Sequence, residues 1–197
     1  MWKDTAITRR LGLAAPIVQG PFGSGLSSVD LVVAVSESGG LGSFGVHHLE
    51  GAGIRQVAVE IRARTRRPFA LNLWLPLGDS DDPQLTDARW NGACELLRPY
   101  FQELGVPMPA RPARFGPRFD EQLETALELA PPVFSFIFGV PAPGVLERCR
   151  RAGIATVGTA TTPAEAKLLD DAGVDAIVAT GFEAGGHRVS FLAEPED

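Results

Sequence analysis

The stretch GFEAGGHR, residues 181–188, sets three glycines around one histidine directly after the apolar run AIVAT. Imidazole is the side chain most readily tuned to move protons near neutral pH. His187, placed just past a strand end, stands where a base could meet a ligand. Glycine at this density costs conformational entropy, so the backbone here must bend sharply or approach something closely. Position alone leaves a hydrogen-bonded loop histidine as an equal reading. Glu183 reads as a loop or helix-start carboxylate, with orientation of His187 as its lesser role.

The other ends of apolar runs carry few charges. They offer Gln19, Gly20, Pro21, Phe22 and Gly23, then His47 and His48, Asn72 and Trp74, Phe138, and Thr180. Glycines, amides and aromatics suit a large flat ligand held by backbone groups. His47 and His48 are adjacent; on a strand they would point to opposite faces, so one metal ion could not easily join them. No Asp or Cys at ligand spacing accompanies them, and no metal site is expected. GLGSFG, residues 40–45, matches G-x-G-x-x-G, but that fingerprint must follow a strand and open a helix. Here a helix precedes it, so it reads as a helix stop followed by a tight strand entry.

The elements that hold these residues alternate. Apolar strands are expected near residues 16, 41, 70, 134, 155 and 177. Helical patterns lie between them. Ser27 or Ser28 caps the first and Gly39 or Gly40 ends it. TTPAEAKLLDDAG is the best marked, with Thr162 and Glu165 as a capping box, Pro163 at the first helical position and Gly173 at the end. Strands apolar on both faces and alternating with helices mean a parallel sheet with helices outside. The fold class is α/β. The chain reads as about the first six units of a TIM-type (β/α)8 barrel, a fold of about 250 residues when whole. A doubly wound open sheet is the alternative. Residues 1–197 are taken as one domain, incomplete at its C-terminus, with an irregular Pro-, Asp- and Arg-rich insertion at about 77–117 that holds one helical pattern, DARWNGACELLRPYFQELG.

The chain has 197 residues, 45% hydrophobic and 21% charged, an ordinary globular balance. A net charge of −6 argues against a nucleic-acid surface, which needs clustered Lys and Arg. The one basic cluster, RARTRR at 62–67, reads as a solvated helix end. Two cysteines, Cys94 and Cys149, both in helical patterns, read as packing or surface thiols. No run reaches the roughly 18 apolar residues of a membrane span, and the N-terminus has no apolar signal core. No membrane partner and a cytoplasmic location are expected.

PIVQGPFG, GGLGSFGVHHL, ALNLWLP and GFEAGGHR, in this order along essentially the whole chain, resemble the nitronate monooxygenases, formerly called 2-nitropropane dioxygenases. EAGGH is the most specific piece. The resemblance implies an FMN-dependent β/α barrel. It implies that Gly20, Pro21 and Phe22 lie against the flavin ring, that Asn72 hydrogen-bonds the cofactor, that Gly185 and Gly186 let backbone approach it, and that His187 is the catalytic base. Thr180 stands where relatives often carry Gln, and its shorter side chain would lose a flavin contact there. The implied reaction is oxidative denitrification: an alkyl nitronate or nitroalkane, with FMN and O2, gives a carbonyl compound and nitrite. The resemblance also implies seventh and eighth β/α units, with the glycine loops for the FMN phosphate, beyond Asp197. Two other functions stay open: a flavin-dependent enoyl-thioester reductase of the same fold, which would need NAD(P)H, and a non-catalytic truncated remnant. Homo-oligomerisation stays open as well.

Overall fold

Five short, mostly apolar runs, with Ser43, Asn72, Ser135, Thr156 and Thr159 as their polar members, form one all-parallel sheet. The strands are β1 (Gly42–Gly45), β2 (Phe69–Trp74), β3 (Val133–Ile137), β4 (Ala155–Ala160) and β5 (Ala176–Ala179). The computed structural model describes residues 2–23, 25–76, 86–112, 114 and 116–192. In space the strands follow chain order, β1-β2-β3-β4-β5. A doubly wound sheet reverses its order at a switch point, whereas a barrel winds in one direction. The unbroken order therefore decides for the β/α barrel progression.

The first of the six expected strands shrinks to a single parallel bridge, Val18 to Leu41. Pro16 has no N–H to give, and the chain turns away at Gly20–Pro21. Beyond the bridge a side chain takes over the pairing: the Gln19 amide oxygen accepts from the Ser43 N–H at 3.0 Å.

The helices start where side-chain oxygens can take their orphan N–H groups. Ser28 accepts from the Leu31 N–H and opens α2 (Val29–Glu37). α3 (Gly51–Arg64), α5 (Phe119–Glu128) and α6 (Pro143–Arg151) follow their strands or precede the next. Thr162 accepts from the Glu165 N–H and opens α7 (Pro163–Asp171). Only that half of the expected capping box forms; the Glu165 carboxylate goes elsewhere, as described below. Arg62, in the basic cluster at the end of α3, does more than face water: it donates to the Leu129 and Ala130 carbonyls just after α5, at 2.5 and 2.9 Å.

Alternation along each strand sorts the core into two layers. Phe44, Leu71, Leu73, Phe134 and Phe136 pack outward under the helices with Ile54, Ile61 and Leu169. Leu41, Ala70, Val133, Ala155 and Val157 face the other way and meet Leu11. Leu11 belongs to α1 (Ala6–Leu11), a helix with no counterpart in the sequence reading. Thr5 and Thr8 cap it reciprocally, and Gly12 ends it in the left-handed region at φ 68°. It closes the inner face at the N-terminal ends of the strands.

Asp175 ties α1 to the sheet. Its carboxylate accepts from Arg10 at 2.5 Å, and from the Thr156 N–H and hydroxyl at 2.8 and 3.1 Å. Burial pushes this carboxyl up, but the Arg10 and Thr156 donors outweigh it and hold it below its ordinary value. A depressed carboxyl stabilises the fold above its unfolded pKa of about 4, and that contribution is lost as pH falls through the folded value. The melting temperature of the native chain is therefore expected to drop as pH falls below about 4. Asp175→Asn should melt lower at neutral pH and show a flatter acid limb. A Tm-against-pH series on both proteins checks this; parallel curves would remove Asp175 from the acid response.

A second compact unit spans Gly78–Gly116, in the segment set apart in the sequence. Residues 77–85, 113 and 115 of that segment lie outside the described residues. Within the unit, Thr86 accepts from the Arg89 N–H and opens α4 (Asp87–Glu103), which runs through Pro99. Both cysteines are free; burial pushes the Cys149 thiol up to about 11, which makes it an inert packing group.

Candidate active site

Parallel strands all deliver their C-terminal ends to one rim, where α/β folds place their ligands. His47 follows β1, Trp74 ends β2, Phe138 follows β3, and His187 comes on the loop after β5. The structure brings these four together. The His47 ring lies flat on Trp74, with centroids 3.9 Å apart and planes 9° from parallel. His187 meets Trp74 edge to face at 4.9 Å, and Phe138 meets it edge to face at 5.3 Å. Edge-to-face and stacked pairs at these distances are favourable beyond simple burial.

Strand alternation would send His47 and His48 to opposite faces and marks neither as a site residue. The two histidines instead lie on a turn after β1, where strand alternation no longer applies, and their rings are 5.3 Å apart. The register could have revealed the stack. Gly45 pairs with Asn72, which carries the chain to His47 beside Trp74 two residues on. Burial, with the His48 and His187 imidazoles nearby, lowers the His47 pKa. Its neutral form is thereby favoured, and its buried Nδ1 has no hydrogen-bond partner among the described residues. Among the described residues no group of three or more metal-ligating side chains occurs.

Backbone strain marks the same rim. Phe138 has φ 69°, a left-handed conformation that a bulky side chain adopts only where its surroundings impose it. Gly139 follows at φ 148°. This bend turns the chain sharply at the end of β3 and leaves the Phe138 ring against Trp74.

Buried polar side chains hold each loop in place. The Ser27 hydroxyl accepts from the Phe22 N–H at 2.8 Å and fixes the segment that carries Gly20, Pro21 and Phe22. The Gln122 amide on α5 donates to the His47 and Leu49 carbonyls, both at 2.8 Å, and pins the turn that carries His47. Glu165 on α7 accepts from the Phe191 and Leu192 N–H groups at 2.7 and 3.1 Å, just past His187. Leaving any of these buried groups unpaired would cost about 1–3 kcal/mol.

The expected cofactor residues fall on this rim or lead to it. A Cβ on Gly23 would come within 2.4 Å of the His47 ring, and one on Gly45 within 2.8 Å of the Phe22 carbonyl, so the first loop lies close against β1 and His47. Asn72 is buried on the inner face and donates to the Ser135 hydroxyl at 3.0 Å, which leaves its carbonyl oxygen to accept. Thr180 donates its N–H and its hydroxyl to the Ala160 carbonyl, at 2.9 and 3.2 Å, so the end of β5 is anchored by a residue that was expected to face a cofactor. Glu183 folds its carboxylate back over Gly181, 2.6 Å from where a Cβ would stand. Gly186 needs its glycine for φ 90°, while Cβ atoms on Gly20 and Gly185 would meet no protein atom within 4 Å. The protein's own packing thus does not demand glycine at 20 or 185. That pattern fits a flat ring lying across bare strand tips.

The sequence and the fold both have close counterparts. The chain is 39% identical over 192 residues to a nitronate monooxygenase of Pseudomonas aeruginosa, covering 96% of this chain and 53% of that protein. It is 38% identical over 189 residues to one of Paraburkholderia phytofirmans, covering 94% and 50%. The chain thus spans about half the length of the curated relatives it matches. Among solved structures, a nitroalkane oxidase from Streptomyces ansochromogenes superposes with a TM-score of 0.79 at 35% identity, over 98% of this chain and 53% of that one. A FabK structure from Thermotoga maritima superposes at 0.65 with 22% identity, a likeness of fold alone. None of the described helices is long and apolar enough to cross a membrane. The nitronate monooxygenase family model matches residues 5–197, which takes in every strand and all four residues of the aromatic cluster, and on that match the chain belongs to the nitronate monooxygenase family.

Proposed function

We propose that this chain carries the ring-binding and proton-transfer face of an FMN-dependent nitronate monooxygenase, which converts alkyl nitronates and nitroalkanes to carbonyl compounds and nitrite with O2. The observation that carries the reading is His187, delivered by a glycine-rich loop to the strand-tip rim and seated 4.9 Å from Trp74. Gly20, Pro21, Phe22, Asn72, Thr180, Gly185 and Gly186 would hold the flavin. When bound, the flavin supplies the electron transfer from substrate and the reaction with O2.

The chain's own residues do the rest. His187 takes the proton from the carbon bearing the nitro group, and the freed electron pair moves into that group to give the nitronate. Such a proton is acidic because the nitro group delocalises the charge, so one base within reach suffices. His47, held toward its neutral form by burial and stacked on Trp74, adds a flat wall. Phe138 and Trp74 stand edge to face with His187 and give it aromatic walls.

The test is direct. The purified chain, supplied with FMN, is expected to keep flavin absorbance through gel filtration and to release nitrite from an alkyl nitronate without NAD(P)H. Protein that stays colourless would overturn the flavin reading for these residues. An absolute need for NAD(P)H would point to the enoyl-thioester reductase.

A further inference from the structure

Glu165 is a fully buried carboxylate that the proton transfer does not use. We propose that Glu165 is the positioning residue for His187, a clamp on the downstream end of the glycine loop that keeps the imidazole against Trp74. The proposal rests on the reading of His187 as the base.

The loop has two anchors. Upstream, the β5 ladder and the Thr180 N–H to the Ala160 carbonyl hold it, at 2.9 Å for the latter. Downstream, one Glu165 oxygen accepts from the Phe191 and Leu192 N–H groups, at 2.7 and 3.1 Å. The other accepts from the Thr161 N–H and hydroxyl, at 2.7 and 2.8 Å. The Thr161 hydroxyl is also 2.9 Å from that of Ser190, which closes the clamp around the chain three residues past His187. Between the anchors lie Gly181, Gly185 and Gly186, and glycines have the most conformational freedom to lose. Such a segment holds a histidine still only if its ends are fixed.

The chemistry of the side chain supports a geometric role. A buried charge is costly unless fully hydrogen-bonded, and an apolar replacement of similar volume often serves stability as well. Glutamate offers acceptors on both oxygens at once. Glutamine offers one oxygen and would turn an NH2 toward two donors. The four bonds therefore require a carboxylate, and two of them go to the backbone four and five residues past His187.

The test compares Glu165→Gln and Thr161→Val with the parent chain. Hydrogen exchange across residues 187–192 should speed up at least about tenfold, the change that loss of one net hydrogen bond produces. The chain has three histidines, so the His187 ring-proton resonance is assigned by its loss in His187→Asn. In Glu165→Gln that resonance should leave the shifted position imposed by the Trp74 ring, while those of His47 and His48 stay. With FMN and substrate, nitroalkane turnover should fall by up to about 100-fold, as for a misplaced catalytic group, with nitronate turnover kept. A folded variant with unchanged exchange and an unmoved His187 resonance overturns the proposal. So does an equal loss on both substrates in Glu165→Gln where His187→Asn spares the nitronate. If Glu165→Gln fails to fold, Thr161→Val decides by the same readouts. If the His187 resonance moves in Glu165→Gln but His187→Asn treats both substrates alike, the base reading fails and the clamp stands.

Discussion

His187→Asn is expected to cut turnover of neutral nitroalkanes by about 100- to 10,000-fold, the range a positioned general base contributes. Asparagine keeps a polar side chain of similar reach but cannot take a proton near neutral pH. A nitroalkane must lose its carbon-bound proton before it can be oxidised; a preformed nitronate has already lost it. Nitrite release from the nitronate should therefore change far less. Initial rates on a nitroalkane and on its own nitronate, at one pH and with the same flavin loading, give the comparison. Equal losses on the two would take His187 out of the base role and leave it a wall of the site. The cluster contains a second imidazole, but burial favours the neutral form of His47 and its Nδ1 is enclosed. It is the less exposed of the two rings and lies flat on Trp74, so the effect should not be rescued from that side.

Much of the fold is legible in the amino-acid sequence. Short runs apolar at most positions are marked by that fact, and β2, β3 and β4 stand out for it. Thr162, Pro163 and Gly173 bound α7 by local chemistry that a sequence states outright. Other features arise only from how elements meet. The pairing near residue 16 looked like a full strand, but strand length depends on the partner, and here the Gln19 side chain replaces the backbone after one bridge. α1 is six residues long, too short to show a period, and its reason to exist is the apolar layer it closes. His47 was set aside because alternation on a strand would separate it from its neighbours; the turn after β1 removed that premise. Glu165 matched a capping box three residues from Thr162, yet its carboxylate answers to Phe191 and Leu192, 26 and 27 residues away in the chain. Local patterns name the residues that matter more readily than they name the partners.

The glycines show the same division, and it can be measured. In GLGSFG the sequence offered a weak nucleotide fingerprint. The structure gives each of its glycines a neighbour from the protein itself: a Cβ on Gly40 would lie 2.8 Å from the Ile17 carbonyl, and one on Gly45 2.8 Å from that of Phe22. Gly42 is the most confined, with a Cβ 2.2 Å from the Val32 carbonyl oxygen and 2.8 Å from its carbon. These are helix backbone atoms, which cannot swing aside as a side-chain tip can. Gly42→Ala must push α2 off β1 by about 1 Å, in a core packed like a crystal. The expected cost is about 3 kcal/mol, the upper range for overpacking. For a chain of this size that lowers Tm by roughly 10 °C. Gly20→Ala is the opposite case. A Cβ there meets nothing within 4 Å, and the residue needs no positive φ, so stability should stay within about 0.5 kcal/mol of the parent. If the strand tips were left bare for a flavin ring, Gly20→Ala should nonetheless weaken flavin retention. Thermal melts and flavin titrations on the two variants separate the roles. A stable Gly42→Ala would sink the close-approach argument, and a Gly20→Ala that binds flavin as well as the parent would move the ring away from the first loop.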